Sequence, residues 1–224
     1  MIAALIITCG KTEPPRGGFA PQKELGTIPA IRRIVLTFQR AGVERIVMVC
    51  SGEDDEAEKL STRLNVVFIH NPAGVEMLDN VKAGLAYLQG KCTAALITHT
   101  DIPLFSVETV RALMEEAEGD VCVPSHNGTT GHPILLRSER FPAVSSYYCR
   151  GGLSGVVKAL GLQRRLVEVD DEGILVDSRC DTDLEHLIAG HSLQEPHPGI
   201  KLTVVKEKPC YGPGLHLLLY SRTA

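Results

Sequence analysis

Short β-branched runs alternate with helical patterns along most of the chain. Ile2–Ile7, Arg45–Cys50 and residues 66–69, 94–97 and 121–124 are apolar runs of strand length. After Pro29, which suits a first helical turn, Ile31, Ile34, Val35 and Phe38 recur at helical spacing. Residues 53–64 carry charge on one side and Ala57, Leu60 and Leu64 on the other. The same pattern returns over Met77–Leu88 and over residues 107–117, the latter opened by Ser106 as N-cap. Strands this uniformly apolar are covered on both faces. The pattern therefore predicts an α/β fold, a mostly parallel sheet flanked by helices on both faces. The acidic run 53–56 reads as the solvated start of a helix, where negative charge meets the positive end of the dipole.

The texture changes near Gly190, so residues 1–190 are expected to form one domain and 191–224 a linker with a truncated extension. Residues 191–199 hold two prolines and two histidines without periodicity. A strand-like stretch follows over 201–205, then Pro209, Gly212, Pro213 and Gly214. A helix starting after Gly214 would have barely two turns, too short to stand alone.

Composition narrows the function. Of 224 residues, 44% are hydrophobic and 22% charged, ordinary values for a globular protein. The net charge of −4 and the lack of a basic stripe disfavour nucleic acid and anionic membranes as partners. No apolar run is long enough to cross a bilayer. The seven cysteines are scattered with no Cys-x-x-Cys pair, a poor zinc or disulfide framework that fits a reducing cytoplasm.

Two segments carry candidate chemistry. In Thr98-His99-Thr100-Asp101-Ile102-Pro103 a carboxylate stands where a buried strand ends, the place where open α/β sheets collect ligands. Asp101 there suits a hard cation that carries phosphates, or equally a turn aspartate bonding its own backbone. The other segment is the long loop 9–25, with three glycines, three prolines and the cations Lys11, Arg16 and Lys23. Glycines let backbone amides approach an anion closely. The loop is not read as a phosphate-binding Walker loop: Gly10-Lys11-Thr12 has the ending, but Leu5 stands where the first glycine belongs.

Gly10, a basic loop, Lys23 and a Gly-x-x-Pro resemble the signature of the molybdenum cofactor nucleotidyltransferases and their sugar-nucleotide relatives. Asp101-Ile102-Pro103 is similar to that family's Asp-x-Pro, and Asn80-Val81-Lys82-Ala83-Gly84-Leu85 to its segment after the third strand. Gly131-His132-Pro133 resembles the turn of the cytidine-nucleotide branch. Gly151-Gly152-Leu153 and the run from Asp170 to Asp177 match later landmarks in order, so the likeness covers residues 2–187.

The resemblance implies a Rossmann-like nucleotidyltransferase that moves a nucleoside monophosphate from CTP or GTP, CTP favoured, to a small phosphorylated acceptor, molybdopterin above all. Lys23, Asp101 and Arg16 would be catalytic, and Thr8, Cys9, Gly10, Lys11, Lys23, Asn80 and Gly84 would hold the nucleotide. Gly131, His132 and Pro133 would lie on the acceptor side. Mg2+ would sit on Asp101, with Asp177 or Asp181 as second carboxylate. Residues 206–214 resemble the opening of molybdate-responsive winged-helix regulators, with no DNA-reading helix completed.

The chain departs from the family at Thr8-Cys9-Gly10, at Thr100, where glycine is common, and at Arg179 within the late acidic run. These departures keep open a nucleotide-binding regulatory module without catalysis; a sugar-phosphate type of acceptor also stays open. His99 reads as a strand-end residue satisfying backbone groups, and His132 as able to fix its turn by hydrogen bonding. Ser154 lacks nucleophile-elbow spacing and is expected at or within a helix start.

Overall fold

The structure is a computed structural model that describes residues 1–8, 29–50, 64–72, 74, 76–116, 118–149 and 151–177, and the backbone of 24–25, 28, 202–205 and 216–222. Its first half contains β1 (Ile2–Ile7), β2 (Glu24–Leu25), β3 (Ile28–Pro29), α1 (Ala30–Ala41), β4 (Arg45–Cys50), β5 (Val66–His70), α2 (Met77–Leu88) and β6 (Ala94–His99). Then come α3 (Val107–Glu115), β7 (Val121–His126), β8 (Thr129–Thr130), β9 (Ile134–Arg137), α4 (Phe141–Ser146), α5 (Gly152–Ala159), β10 (Arg164–Glu168), β11 (Leu202–Val205) and β12 (His216–Arg222). The expected helix over 53–64 lies outside the described residues, apart from Leu64.

Ten of the described strands form one sheet in the order β10-β7-β9-β6-β1-β4-β5-β12-β11, with β8 hairpinned onto β7. Strands β6, β1, β4 and β5 pair in parallel, as do β7 and β10. Between the two groups β9 runs antiparallel to both β6 and β7. The expected mostly parallel, helix-flanked sheet is therefore what forms.

Alternation along β1 divides the core. Ala4 and Ile6 join Ile31, Ile34 and Phe38 of α1 and Val110 and Leu113 of α3 on one face. Ala3, Leu5 and Ile7 join Leu78, Val81 and Leu85 of α2 on the other, with Phe141 and Val144 of α4 and Val156 and Val157 of α5. Phe38 and Phe105 meet at 5.2 Å between ring centroids. Burying each such side chain is worth about 2 kcal/mol. Gly84 lets α2 press onto the sheet: a Cβ there would lie 2.2 Å from Leu5 Cδ1.

Three expectations are corrected. Strands β5, β6 and β7 run past their apolar stretches, to His70, His99 and His126. Backbone pairing continues there, Ile6 opposite Thr98 and Ile7 opposite His99, whatever the side chain. Helix α3 ends at Glu115, because Glu116 is extended at φ −66° and ψ 120°. The segment after Gly214 is a strand, not a short helix: β12 lies antiparallel on β5, Leu217 opposite Ile69, and β11 pairs beyond it. An open sheet edge supplies hydrogen-bond partners that two isolated helical turns lack.

Candidate active site at the carboxyl rim of the sheet

The exits of β1 and β6 are neighbours. The Thr8 amide donates to Val49 O at 3.0 Å, and the Thr100 amide to Ile7 O at 3.1 Å. These bonds carry the ladder one step past each strand and hold Thr8, Thr100 and Asp101 together at one rim. Asp101 is buried, 4% exposed, in a turn closed by the Ile102 amide on His99 O at 3.2 Å.

Strand β9 brings a second segment to this rim. Because β9 is reversed, its beginning lies beside the end of β6. Ile97 stands opposite Ile134, and His99 lies two residues after the one and His132 two before the other. Their rings meet edge to face, centroids 4.7 Å apart and planes at 77°. On its other side His99 places Nδ1 3.7 Å from Asp101 Oδ2. That buried nitrogen has no hydrogen-bond partner among the described residues. His99 is thus corrected from a residue satisfying backbone to one set between a carboxylate and an imidazole. The His132 pKa is pushed down to about 4, first by burial and then by His99. It is therefore a neutral ring at physiological pH.

The Gly131-His132-Pro133 turn is fixed by backbone. Gly131 donates to Pro124 O at 3.0 Å and His132 to Ile174 O at 3.1 Å. A Cβ on Gly131 would fall 2.2 Å from the Ile174 carbonyl oxygen, so only glycine allows that approach. The His132–Pro133 peptide is cis. Asp177 follows the 3₁₀ turn Glu172–Leu175 that receives this contact.

Asn80 is buried and accepts from Asn71 Nδ2 at 3.0 Å. Asn71 in turn anchors the β5 exit by donating its amide to Cys50 O at 2.8 Å and accepting from Gly74. Asn80 thus holds a rim loop from α2, whereas Gly84 faces Leu5 within the core. Cys9, Gly10, Lys11, Arg16, Lys23 and Asp181 lie outside the described residues.

The sequence reading missed Asp171. Its carboxylate is buried and accepts from Ser106 N at 2.7 Å, Thr109 Oγ1 at 2.5 Å and Gly173 N at 3.0 Å. It ties the start of α3, just past Asp101, to the turn behind Gly131. Ser106 does cap α3, through Thr109 N at 3.1 Å. Ser154 lies within α5, as expected. Also missed were Lys158 and Arg164, which line a cavity of about 450 Å³ together with Gly131 and His132. No local motif marks either, because tertiary packing alone joins α5 and β10 to the turn.

The donor set suits Mg2+ carried in by a nucleotide. Such an ion takes one or two carboxylates, with substrate phosphates and water completing its shell. Asp101 supplies one carboxylate at the rim. Among the described residues there is no group of three or more His, Cys, Asp or Glu able to cage a metal by themselves.

Residues 17–166 match the MobA-like NTP transferase domain. The chain belongs to that family. It is 27% identical over 136 residues to the molybdenum cofactor cytidylyltransferase of Escherichia coli K12, a match covering 59% of this chain and 68% of that protein. A nucleotidyl transferase from Methanothermobacter thermautotroptrophicus superposes with a TM-score of 0.70 at 17% identity, over 85% of this chain and 99% of that one. A 4-diphosphocytidyl-2C-methyl-D-erythritol synthase gives 0.64 at 19%, over 84% and 96%. At these identities the two structures establish the Rossmann-like nucleotidyltransferase fold. Membership of an NTP transferase family supports nucleotidyl transfer as the chain's chemistry, with a nucleoside triphosphate and a phosphorylated acceptor as substrates. No helix among the described residues is long and apolar enough to cross a membrane.

Proposed function

We propose that this protein is a Mg2+-dependent cytidylyltransferase that transfers CMP from CTP to the phosphate of molybdopterin. The observation that carries the reading is the meeting of Asp101 with the Gly131-His132-Pro133 turn through His99 at one rim. An acceptor phosphate oxygen attacks the α-phosphorus of CTP, the bond from that phosphorus to the bridging oxygen breaks, and pyrophosphate leaves. A phosphate monoester is already largely ionised near neutrality, so no strong base is required. The barrier lies in aligning two polyanions, and charge neutralisation is the main task. Mg2+, held by Asp101 with Asp177 or Asp181, would supply charge neutralisation at the phosphate oxygens. Lys23 and Arg16 would take the charge growing on pyrophosphate, while Thr8 to Lys11 and Asn80 would frame the nucleotide.

The test is pyrophosphate release from CTP and Mg2+ with molybdopterin. Asp101→Ala and Lys23→Ala should each slow it about a hundredfold, the loss of one preorganised charge or donor being worth about 3 kcal/mol. Unchanged turnover in Asp101→Ala would refute the metal assignment. Tight CTP binding without turnover for any acceptor would instead identify a regulatory nucleotide-binding module. Turnover confined to a sugar phosphate would reassign the acceptor.

A further inference from the structure

We infer that the outer edge of β10 is a pairing surface for a second copy of this chain, met antiparallel about a two-fold axis at Leu166. The pairing does not depend on the reaction proposed above.

Strand β10 begins the sheet order, and among the described residues no strand lies along its outer edge. Its hydrogen-bond parity is set by β7. The Val121 amide donates to Gln163 O at 3.1 Å, and the Val169 amide to Ser125 O at 2.8 Å. Odd-numbered residues from 163 to 169 thus turn their backbone groups inward, and Arg164, Leu166 and Glu168 turn theirs out. Such a row is a template for another strand. The three side chains also share a face. Register sets Arg164 beside Val121, Leu166 beside Val123 and Glu168 beside Ser125, on the side that α5 covers. Val167 and Val169 pack against the other core. Leu166 is 51% exposed, and Arg164 and Glu168 are exposed on either side of it.

Charge chooses the partner. Charged side chains ordinarily keep a sheet edge from pairing. The order Arg164-Arg165-Leu166-Val167-Glu168 instead complements itself when it meets its own reverse. In an antiparallel pair centred on Leu166, Arg164 faces Glu168 of the second copy and Leu166 faces Leu166. The outward backbone groups of all three then form hydrogen-bonded pairs. Arg165 faces Val167 on the other side of the sheet, and it keeps Glu116 Oε2 of its own chain at 3.2 Å. Moving the centre to Arg164 sets arginine against arginine, and moving it to Arg165 sets Arg164 against leucine. Among the described residues no carboxylate pairs with Arg164, so the second copy supplies one. Arg164 also lines the cavity that holds His132, which puts Glu168 of the second copy at that cavity's edge. The two-fold axis closes the contact at a dimer. A strand of five residues gives a small interface, so association is weak and depends on concentration.

Sedimentation velocity of the full chain from low to high micromolar concentration tests the pairing. Wild type should shift from monomer to dimer and no further. Arg164→Glu sets glutamate against glutamate, and Glu168→Arg sets arginine against arginine. Each should raise the dimer dissociation constant about tenfold. An equimolar mixture of these two variants should regain the wild-type value, because every opposed pair is then glutamate with arginine. Leu166→Pro removes an outward amide and should weaken the dimer while the bonds to β7 persist. Circular dichroism separates lost pairing from lost folding. Glu168 Oε1 also accepts the Asn127 amide at 2.9 Å, so Arg164→Glu, which spares that bond, keeps the test decisive if Glu168→Arg unfolds. A wild type that stays monomeric at every concentration would overturn the inference and leave the edge to a strand of another protein. A dimer that none of the variants weakens would place the interface elsewhere and overturn it as well. Failure of the mixture of folded variants to dimerise would overturn the register centred on Leu166.

Discussion

His99 and His132 stand opposite one another because β6 and β9 keep their register past the last ladder pair, Ile97 with Ile134. The contact is the outcome of strand pairing, and it joins the two segments that would serve the two substrates. His99 also faces Asp101 at 3.7 Å, so one imidazole lies between a carboxylate and a second ring.

Stability should fall as pH is lowered from the ordinary histidine value near 6.5 to about 4. Over that window the unfolded chain binds a proton at His132 that the native state refuses. The pKa is depressed in the fold, so this stabilisation is complete above the unfolded value and lost on acidification. The loss reaches about 3 kcal/mol. Urea midpoints at pH 7 and 4.5 measure it, and His132→Asn should flatten the difference. An unchanged slope in that variant would count against the assignment.

Asp171→Ala should cost about 3 kcal/mol, since it leaves three donors, Ser106 N, Thr109 Oγ1 and Gly173 N, without their acceptor in the interior. Asp170→Ala, at an exposed neighbour, should stay within about 0.5 kcal/mol. Thermal unfolding of the two variants side by side tests the difference.

Gly84→Ala sets two effects against each other. Alanine gains about 1 kcal/mol of helix propensity over glycine. The new methyl meets Leu5 Cδ1 at 2.2 Å, within a close-packed core, where overpacking costs about 2 kcal/mol. Net destabilisation is expected, with partial recovery when Leu5→Val is added. A more stable single variant would show that Leu5 moves aside freely.

For the proposed reaction, His99→Ala should lower kcat about tenfold and raise the acceptor KM, with the CTP KM nearly unchanged and the Tm close to wild type. His99→Asn, which restores a polar group, should recover part of kcat. A change confined to Tm would make His99 a packing residue only.

The fold was legible where periodicity was strong. Met77–Leu88 and the apolar part of each central strand follow from spacing, because burial on both faces leaves no polar positions. Strand ends were not legible: Thr98, His99, Ser125 and His126 are polar, yet the ladder carries them. The reversed strand Ile134–Arg137 and the exposed strand Arg164–Glu168 lack a distinctive pattern, so their places are set by neighbours. At the site, Asp101 and Gly131-His132-Pro133 could be singled out from short motifs. Asp171, Lys158 and Arg164 could not, since what matters about each is a partner far away in the chain.

The direction of β9 has a consequence for how such a protein can diversify. A reversed strand delivers its leading turn, residues 131–133, to the rim where its neighbours finish, and the Asn127-Gly128 hairpin precedes it with both residues at positive φ. The stretch from β7 to β9 is thus a short cassette, pinned at both ends by the sheet and separate in sequence from the loop after β1. Under the proposed function, exchanging that cassette between relatives should alter what is modified while leaving the donor side of the chemistry in place.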